Sequence, residues 1–230
     1  AGHLLWAGRR ANRLGPCRPG ISAYNSSGRG HTTGPPFATA SAMSTTESAR
    51  QPVVILSCSL NPRSRSHKLA LAAEAFLRAS DQPVELIDLA DHDLPMCGGV
   101  GSFDHPAVKT LTETIQAAGA ILVSAPVYNY DLNAAAKNAM ELTGSGWTEK
   151  PVGFLCAAGG TMSYMSAIGF ANSLMFDFRC HIIPRFVYCI RDDFTDAGEP
   201  GPEITARVEA LAASAVDLTR ALAWVRENPR

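Results

Sequence analysis

Apolar positions in this chain fall into short unbroken runs separated by longer stretches of helical spacing. Val53, Val54, Ile55 and Leu56 form the first run, the unalternating pattern of a strand covered on both faces of a parallel sheet. A polar loop follows, crowded with Ser57, Ser59, Asn61, Ser64 and Ser66; Pro62 stops the ladder there, and Arg63 and Arg65 add charge. From about Ser66 the spacing of Leu69, Ala70 and Ala73 turns helical. Val84 to Asp88 alternates and predicts a second, more exposed strand. Ala90 to Pro106 is too rich in breakers for a simple connection, and loops of this kind often wall a site. Val108, Leu111 and Ile115 then place one stripe on a helix that Gly119 ends.

Ala120 to Ala125 predicts a third buried strand, running into a second polar and aromatic loop at Pro126 to Asp131. A helix is expected from near Asn133. Pro151 to Ala158 reads as a fourth strand that opens into Gly159, Gly160 and Thr161, followed by a helix from Ser163 to Phe178. Cys180 to Ile190 is a fifth strand interrupted by Pro184, which argues for an edge position or a bulge. The last helix, from about Pro202, carries Ile204, Val208, Leu211, Ala215, Leu218, Leu222 and Val225 on one stripe, facing the sheet or serving as a dimer seam.

Strands and helices thus alternate without an internal repeat, which predicts right-handed crossovers and a doubly wound, five-stranded parallel sheet. In the order 2-1-3-4-5, strands one and three are neighbours, and the crevice outside their carboxyl ends is the switch point where ligands bind. The loops at Ser57 to Ser66, Pro126 to Asp131 and Gly159 to Thr161 all open there.

This domain covers residues 51–230. Residues 1–50 differ: no acidic residue precedes Glu47, Arg9, Arg10, Arg13, Arg18 and Arg29 are scattered among Gly, Ser, Thr and Pro, and no periodicity persists. A disordered leader is expected, either an organelle transit segment or an over-extended start ahead of Met43, the latter preferred because the chain does not open on Met. The formal net charge of -1 gives no bias toward nucleic acid or membrane. No apolar run approaches bilayer length, so a soluble protein is expected, and the cysteine usage suits a reducing, cytoplasmic compartment. The six cysteines form no CxxC pair and no zinc-finger spacing, which favours reduced, buried thiols. His92 and His105 read as surface residues rather than metal ligands.

The order strand, polar loop, helix carries the chemistry. A helix start presents unpaired N–H groups and partial positive charge, so a loop of hydroxyls and amides can wrap a phosphate there. An ordinary turn with Ser66 as N-cap fits the same residues. Neither GxxxxGK nor GxGxxG is present, which disfavours a nucleoside triphosphate and a dinucleotide held in the usual Rossmann manner.

Taken together, SCSLNPRSRSHKLA resembles the phosphate loop, commonly GSxRxxSxNxxLA, of the NADPH-dependent FMN reductase family. PVYNYDLNAAAKNAMEL is similar to that family's PEYNxxxPGxLKNAxD segment, and AAGGTMSY to its glycine-rich third loop. The stretches are colinear, and the likeness covers nearly all of residues 51–230. The resemblance implies a flavodoxin-like fold, non-covalent FMN, a homodimer or homotetramer, and hydride transfer from NAD(P)H to flavins, quinones, azo dyes or similar small-molecule acceptors. It implies that Ser59 and Ser66 bind the FMN phosphate. Cys58 and Asn61 stand at the family's glycine and arginine, with Arg63 or Arg65 supplying the missing cation. Pro126, Val127, Tyr128, Asn129 and Tyr130 match the segment along the flavin ring, with Val127 at the usual glutamate and Tyr130 at the usual glycine. Lys137 and Asn138 match the family's KN pair; without the likeness they would be a solvated helix face, and Tyr128 a packed aromatic.

Backbone amides near Asn129 and from Gly159 and Gly160 are expected to donate to the flavin carbonyl region, where negative charge develops on reduction. The ring carries the reaction, so no catalytic side chain and no metal is expected. A flavodoxin-like electron carrier is the competing reading, but such carriers are typically strongly acidic and this chain is not. Loss of flavin, leaving a scaffold, stays open because of Cys58, Asn61 and Val127.

Overall fold

The computed structural model of the chain describes residues 51–229. The expected leader, its alternatives and Cys17 lie outside the described residues. Among these, β1 (Val53–Ser57), β2 (Val84–Asp88), β3 (Ala120–Tyr128) and β5 (Pro151–Ala157) form a parallel sheet in the order β2-β1-β3-β5. The expected fifth strand is two pieces, β6 (His181–Ile182) and β7 (Val187–Cys189), both parallel to β5 on its outer edge. Pro184 sits in the gap: it has no N–H for a ladder, so the edge strand leaves the sheet and re-enters it. The predicted 2-1-3-4-5 order holds, with the fifth place shared.

A short strand that the pattern did not reveal, β4 (Asp131–Leu132), folds back antiparallel on the end of β3. The third strand therefore runs three residues past its predicted end at Ala125, and the second loop shrinks to a two-residue turn at Asn129 and Tyr130. Both have positive φ, 51° and 64°, the twist that a tight hairpin requires. Asn tolerates this conformation; for Tyr130 it is strained.

Helices cover both faces. On one, α1 (Arg65–Ala79) and α5 (Pro202–Glu227) bury Leu69, Ala73 and Leu77 with Ile204, Val208 and Leu211 against Val53 and Ile55. On the other, α2 (Pro106–Ala117), α3 (Ala134–Thr143) and α4 (Ala167–Phe178) enclose Val54, Leu56, Leu111, Ile115, Trp147, Phe154 and Leu174. Each such fully buried large side chain contributes roughly 1.5–3 kcal/mol. Trp147 is buried whole because its indole N–H donates to Thr143 Oγ1 at 2.6 Å. Gly153 lets α5 approach β5 closely: a Cβ there would sit 2.7 Å from Leu211 Cδ1 and 2.9 Å from Leu122 Cδ2.

Two helices differ from expectation. The segment after the glycines makes a single tight turn at Thr161–Ser163 before α4 begins at Ala167. The α5 stripe is buried only through Ala215; Val225 and Trp224 are exposed, because the helix outruns the sheet it covers. Lys150 closes α2 by donating to the carbonyls of Gln116 (2.9 Å) and Ala118 (2.7 Å). Its pKa is lowered, chiefly by burial and then by Arg226.

Candidate functional site

The three loops meet at the carboxyl edge of the sheet. Cys58 N–H donates to Ser124 O at 2.8 Å, so the first loop leaves the sheet beside the extension of β3. Asn133, which precedes α3, donates its Nδ2 to Cys58 O at 2.7 Å and its backbone N–H to Pro126 O at 3.2 Å, tying the first loop to the second. Ser124 Oγ donates to Ser66 O at 2.6 Å and pins the first turn of α1 to β3.

Within the first loop, Ser59 is buried and its Oγ accepts from Asn61 N–H at 3.2 Å, while Asn61 Oδ1 accepts from Arg63 N–H at 3.0 Å. Asn61 is thus engaged in holding the turn. Ser64, not Ser66, occupies the N-cap of α1, and its hydroxyl does not cap the helix; it pairs with Ser66 Oγ at 2.8 Å in a buried hydroxyl pair. The helix start therefore keeps its electropositive N–H groups uncapped by any side chain. Arg63 and Arg65 are exposed, and neither enters an ion pair among the described residues. Arg65 also lies within electrostatic reach of Cys189, at the end of β7.

Cys58 fills the place of the expected glycine without entering the loop's concavity: its thiol is buried in the core under the sheet edge. Burial, then the neighbouring Cys156 and Asp88, raises its pKa far above the thiol range. Burial likewise raises Cys156 and Cys189 to about 12 and Cys180 to about 11. None of these four is a thiolate nucleophile at neutral pH. The five described cysteines are free, as the spacing implied. Beside the loop, Ser57 Oγ donates to Asp88 Oδ1 at 3.4 Å and lies 3.0 Å from His67 Nδ1, itself 3.1 Å from Asp88 Oδ2. Serine and aspartate meet the same ring nitrogen, so this is a tether for α1 and not a nucleophilic triad, which uses both nitrogens.

In the second loop Pro126 and Val127 are strand residues. Val127 turns into the core, which removes its side chain from the crevice. Tyr128 and Tyr130 are 55% and 69% exposed, and Asn129 is exposed between them. Lys137 is solvated and pairs with Glu141 at 3.4 Å. Asn138 is not: it is buried, accepts from Cys97 N–H at 2.8 Å and donates to Pro95 O at 3.0 Å, fastening the long Ala90 to Pro106 loop to α3.

Gly159 and Gly160 leave the backbone of the third loop bare. Both are exposed, neither has a positive φ, and a Cβ on either would meet nothing within 4 Å. The protein's own packing and backbone do not require glycine at either position. Their bare backbone leaves room for a bound molecule to approach closely. No cluster of His, Cys, Asp or Glu among the described residues could hold a metal ion.

The model of the NADPH-dependent FMN reductase family matches residues 52–194. The chain belongs to that family. It is 32% identical over 105 residues to an NADPH azoreductase of Bacillus sp. (strain OY1-2), covering 45% of this chain and 59% of that protein. It is 35% identical over 69 residues to the FMN reductase (NADPH) of Escherichia coli (strain K12), covering 30% of this chain and 36% of that one. The aligned parts thus span less than two thirds of either relative. In fold the chain matches a flavoenzyme NAD(P)H:(acceptor) oxidoreductase from Paracoccus denitrificans, with a TM-score of 0.61 at 21% identity over 74% of this chain and 98% of that one.

For a member of this family the crevice offers a coherent set of groups. Ser59, Ser64, the uncapped start of α1, and Arg63 or Arg65 suit a phosphate, while the hairpin and the bare glycine backbone suit a flat ring. Asn133 Oδ1 is buried without a partner, as an acceptor beside the crevice. Sequence reasoning placed Ser64 in the polar loop but gave it no role, because the apolar spacing drew the helix start to Ser66. Asn133 was legible only as an N-cap type before an alanine run. Tyr188, whose hydroxyl reaches the third loop, carried no sequence signal at all.

Proposed function

We propose that the chain is an FMN-dependent NAD(P)H oxidoreductase that passes hydride from NAD(P)H, through FMN bound in this crevice, to a flavin, quinone, azo compound or similar small-molecule acceptor. The observation that carries the reading is the pair Gly159 and Gly160, bare of any internal need for glycine, facing the same sheet edge as a serine-lined helix start. FMN supplies the hydride chemistry when bound; the protein supplies binding, orientation and electrostatics. Ser59, Ser64 and the first turn of α1 would hold the phosphate, and Tyr128, Asn129 and Tyr130 would bound the ring. No side-chain acid is assigned, since hydride transfer requires alignment and a dry face.

FMN is then expected to bind more tightly than riboflavin, which lacks the phosphate. Each hydrogen bond to a charged group is worth roughly 1.5–3 kcal/mol, so Ser59→Ala with Ser64→Ala narrows the margin by at least roughly tenfold. Fluorescence titration of both flavins checks this; an unchanged margin would remove the phosphate-loop assignment.

The chain is further assigned to the cytoplasm, supported by five described thiols that remain unpaired. No helix among the described residues is long and apolar enough to cross a membrane. A homodimer or homotetramer is supported by Phe176, 84% exposed beside an open groove between α3 and α4. Analytical ultracentrifugation reads that state directly.

A further inference from the structure

The third loop is held from one side only. Tyr188, on the short strand β7, donates its hydroxyl to the carbonyl of Gly160, and that hydroxyl lies 2.9 Å from Ser163 Oγ. The loop's start is tied to the same strand, Ala158 N–H donating to Cys189 O at 2.9 Å. Beyond that, the backbone N–H groups of Gly159, Gly160 and Thr161 have no acceptor among the described residues. A trans peptide is planar, with its C=O and N–H pointing in opposite directions. Fixing the Gly160 carbonyl toward β7 therefore turns Thr161 N–H away from β7, which lies outside β5. The crevice lies on the other side, along β3. The break at Pro184, which returns the chain to the sheet as β7, is what sets Tyr188 beside the loop.

We propose that Tyr188 is a positioning residue: by anchoring the Gly160 carbonyl it presents Thr161 N–H to the edge of the bound flavin ring, where negative charge gathers on reduction. The inference rests on the flavin reading of the site given above. A fixed donor at such a point stabilises the reduced ring more than the oxidised one. In this role Tyr188 acts not on flavin or substrate directly but through one peptide plane.

The test is Tyr188→Phe, which keeps the ring packed and deletes only the hydroxyl. The affinities of the full chain for oxidised and for anaerobically reduced FMN are measured, with the midpoint potential of the complex. The wild type is expected to prefer reduced FMN relative to the variant by roughly tenfold, the worth of one hydrogen bond to a charged group. The variant's potential moves negative, while its affinity for oxidised FMN changes little. Riboflavin shows the same change, since the effect lies at the ring. An unchanged potential overturns the inference, as does an equal loss of affinity for both redox states in a folded variant. Failure of the wild type to bind any flavin overturns the site reading and this inference together.

Discussion

Tyr130 holds a backbone conformation, φ 64°, that costs an ordinary L-residue roughly 1–2 kcal/mol, and its side chain is mostly exposed and recovers little of that by packing. Glycine removes the strain at an entropic cost of roughly 0.5–1 kcal/mol. Tyr130→Gly is therefore expected to stabilise the fold by about 0.5–1 kcal/mol, read as a raised urea midpoint; a lowered midpoint would mean that the ring packs usefully. The exposed ring of Tyr130 stands at the hairpin that the proposed function sets against the flavin. The same variant, measured for turnover of bulky and small acceptors, shows whether it limits access. At this scale the sequence was informative about residue type and poor about direction. Cys58 and Val127 read as departures at the site, yet both point into the core, so neither change alters the surface a ligand meets. Side-chain orientation at a strand end depends on where the strand stops, and the apolar pattern did not locate that for β3.

Among the elements, the helices and buried strands were legible because each must bury one stripe or both faces, and that requirement is written in the spacing of apolar residues. The hairpin β3–β4 was not, since two-residue turns are normally marked by Gly, and Asn-Tyr is a weak substitute. The edge strand was read correctly as interrupted, because proline cannot join a ladder. The close seat of α5 on β5 gives an element-scale prediction. Gly153→Ala places a methyl against Leu211 and Leu122, both fully buried, and is expected to destabilise by roughly 1–3 kcal/mol. Denaturant unfolding checks it, and a neutral result would show that the two leucines have free rotamers to adopt. Truncation after Ala223 removes only exposed residues of α5, among them Trp224 and Val225, and should leave the midpoint nearly unchanged.

The molecule as a whole carries a cluster of buried thiols under its working edge. Their folded pKa values lie above the ordinary thiol value of 9.0, about 12 for Cys156 and for Cys189. A raised value means the folded state holds the proton longer than the unfolded chain does. Their contribution to stability is thus complete below about pH 9 and is lost as pH climbs toward the folded values, by about 1.4 kcal/mol per pH unit for each fully buried thiol. Urea midpoints should therefore fall between about pH 9 and 11, and less steeply in Cys156→Ala; equal slopes in the two proteins would exclude this source. The fold class was readable from the alternation of strands and helices, and the family from three short motifs. The ligand-facing geometry was readable only in part, because Ser64, Asn133 and Tyr188 act through positions that the fold alone creates. On the proposed reading this crevice binds FMN and NAD(P)H reduces it there. The most direct measurement is the visible absorbance of the purified protein with FMN, before and after anaerobic NADPH and then NADH. Retention of flavin absorbance through gel filtration and its bleaching by a nucleotide is the predicted result; flavin that neither nucleotide reduces, or no retained flavin, would contradict it.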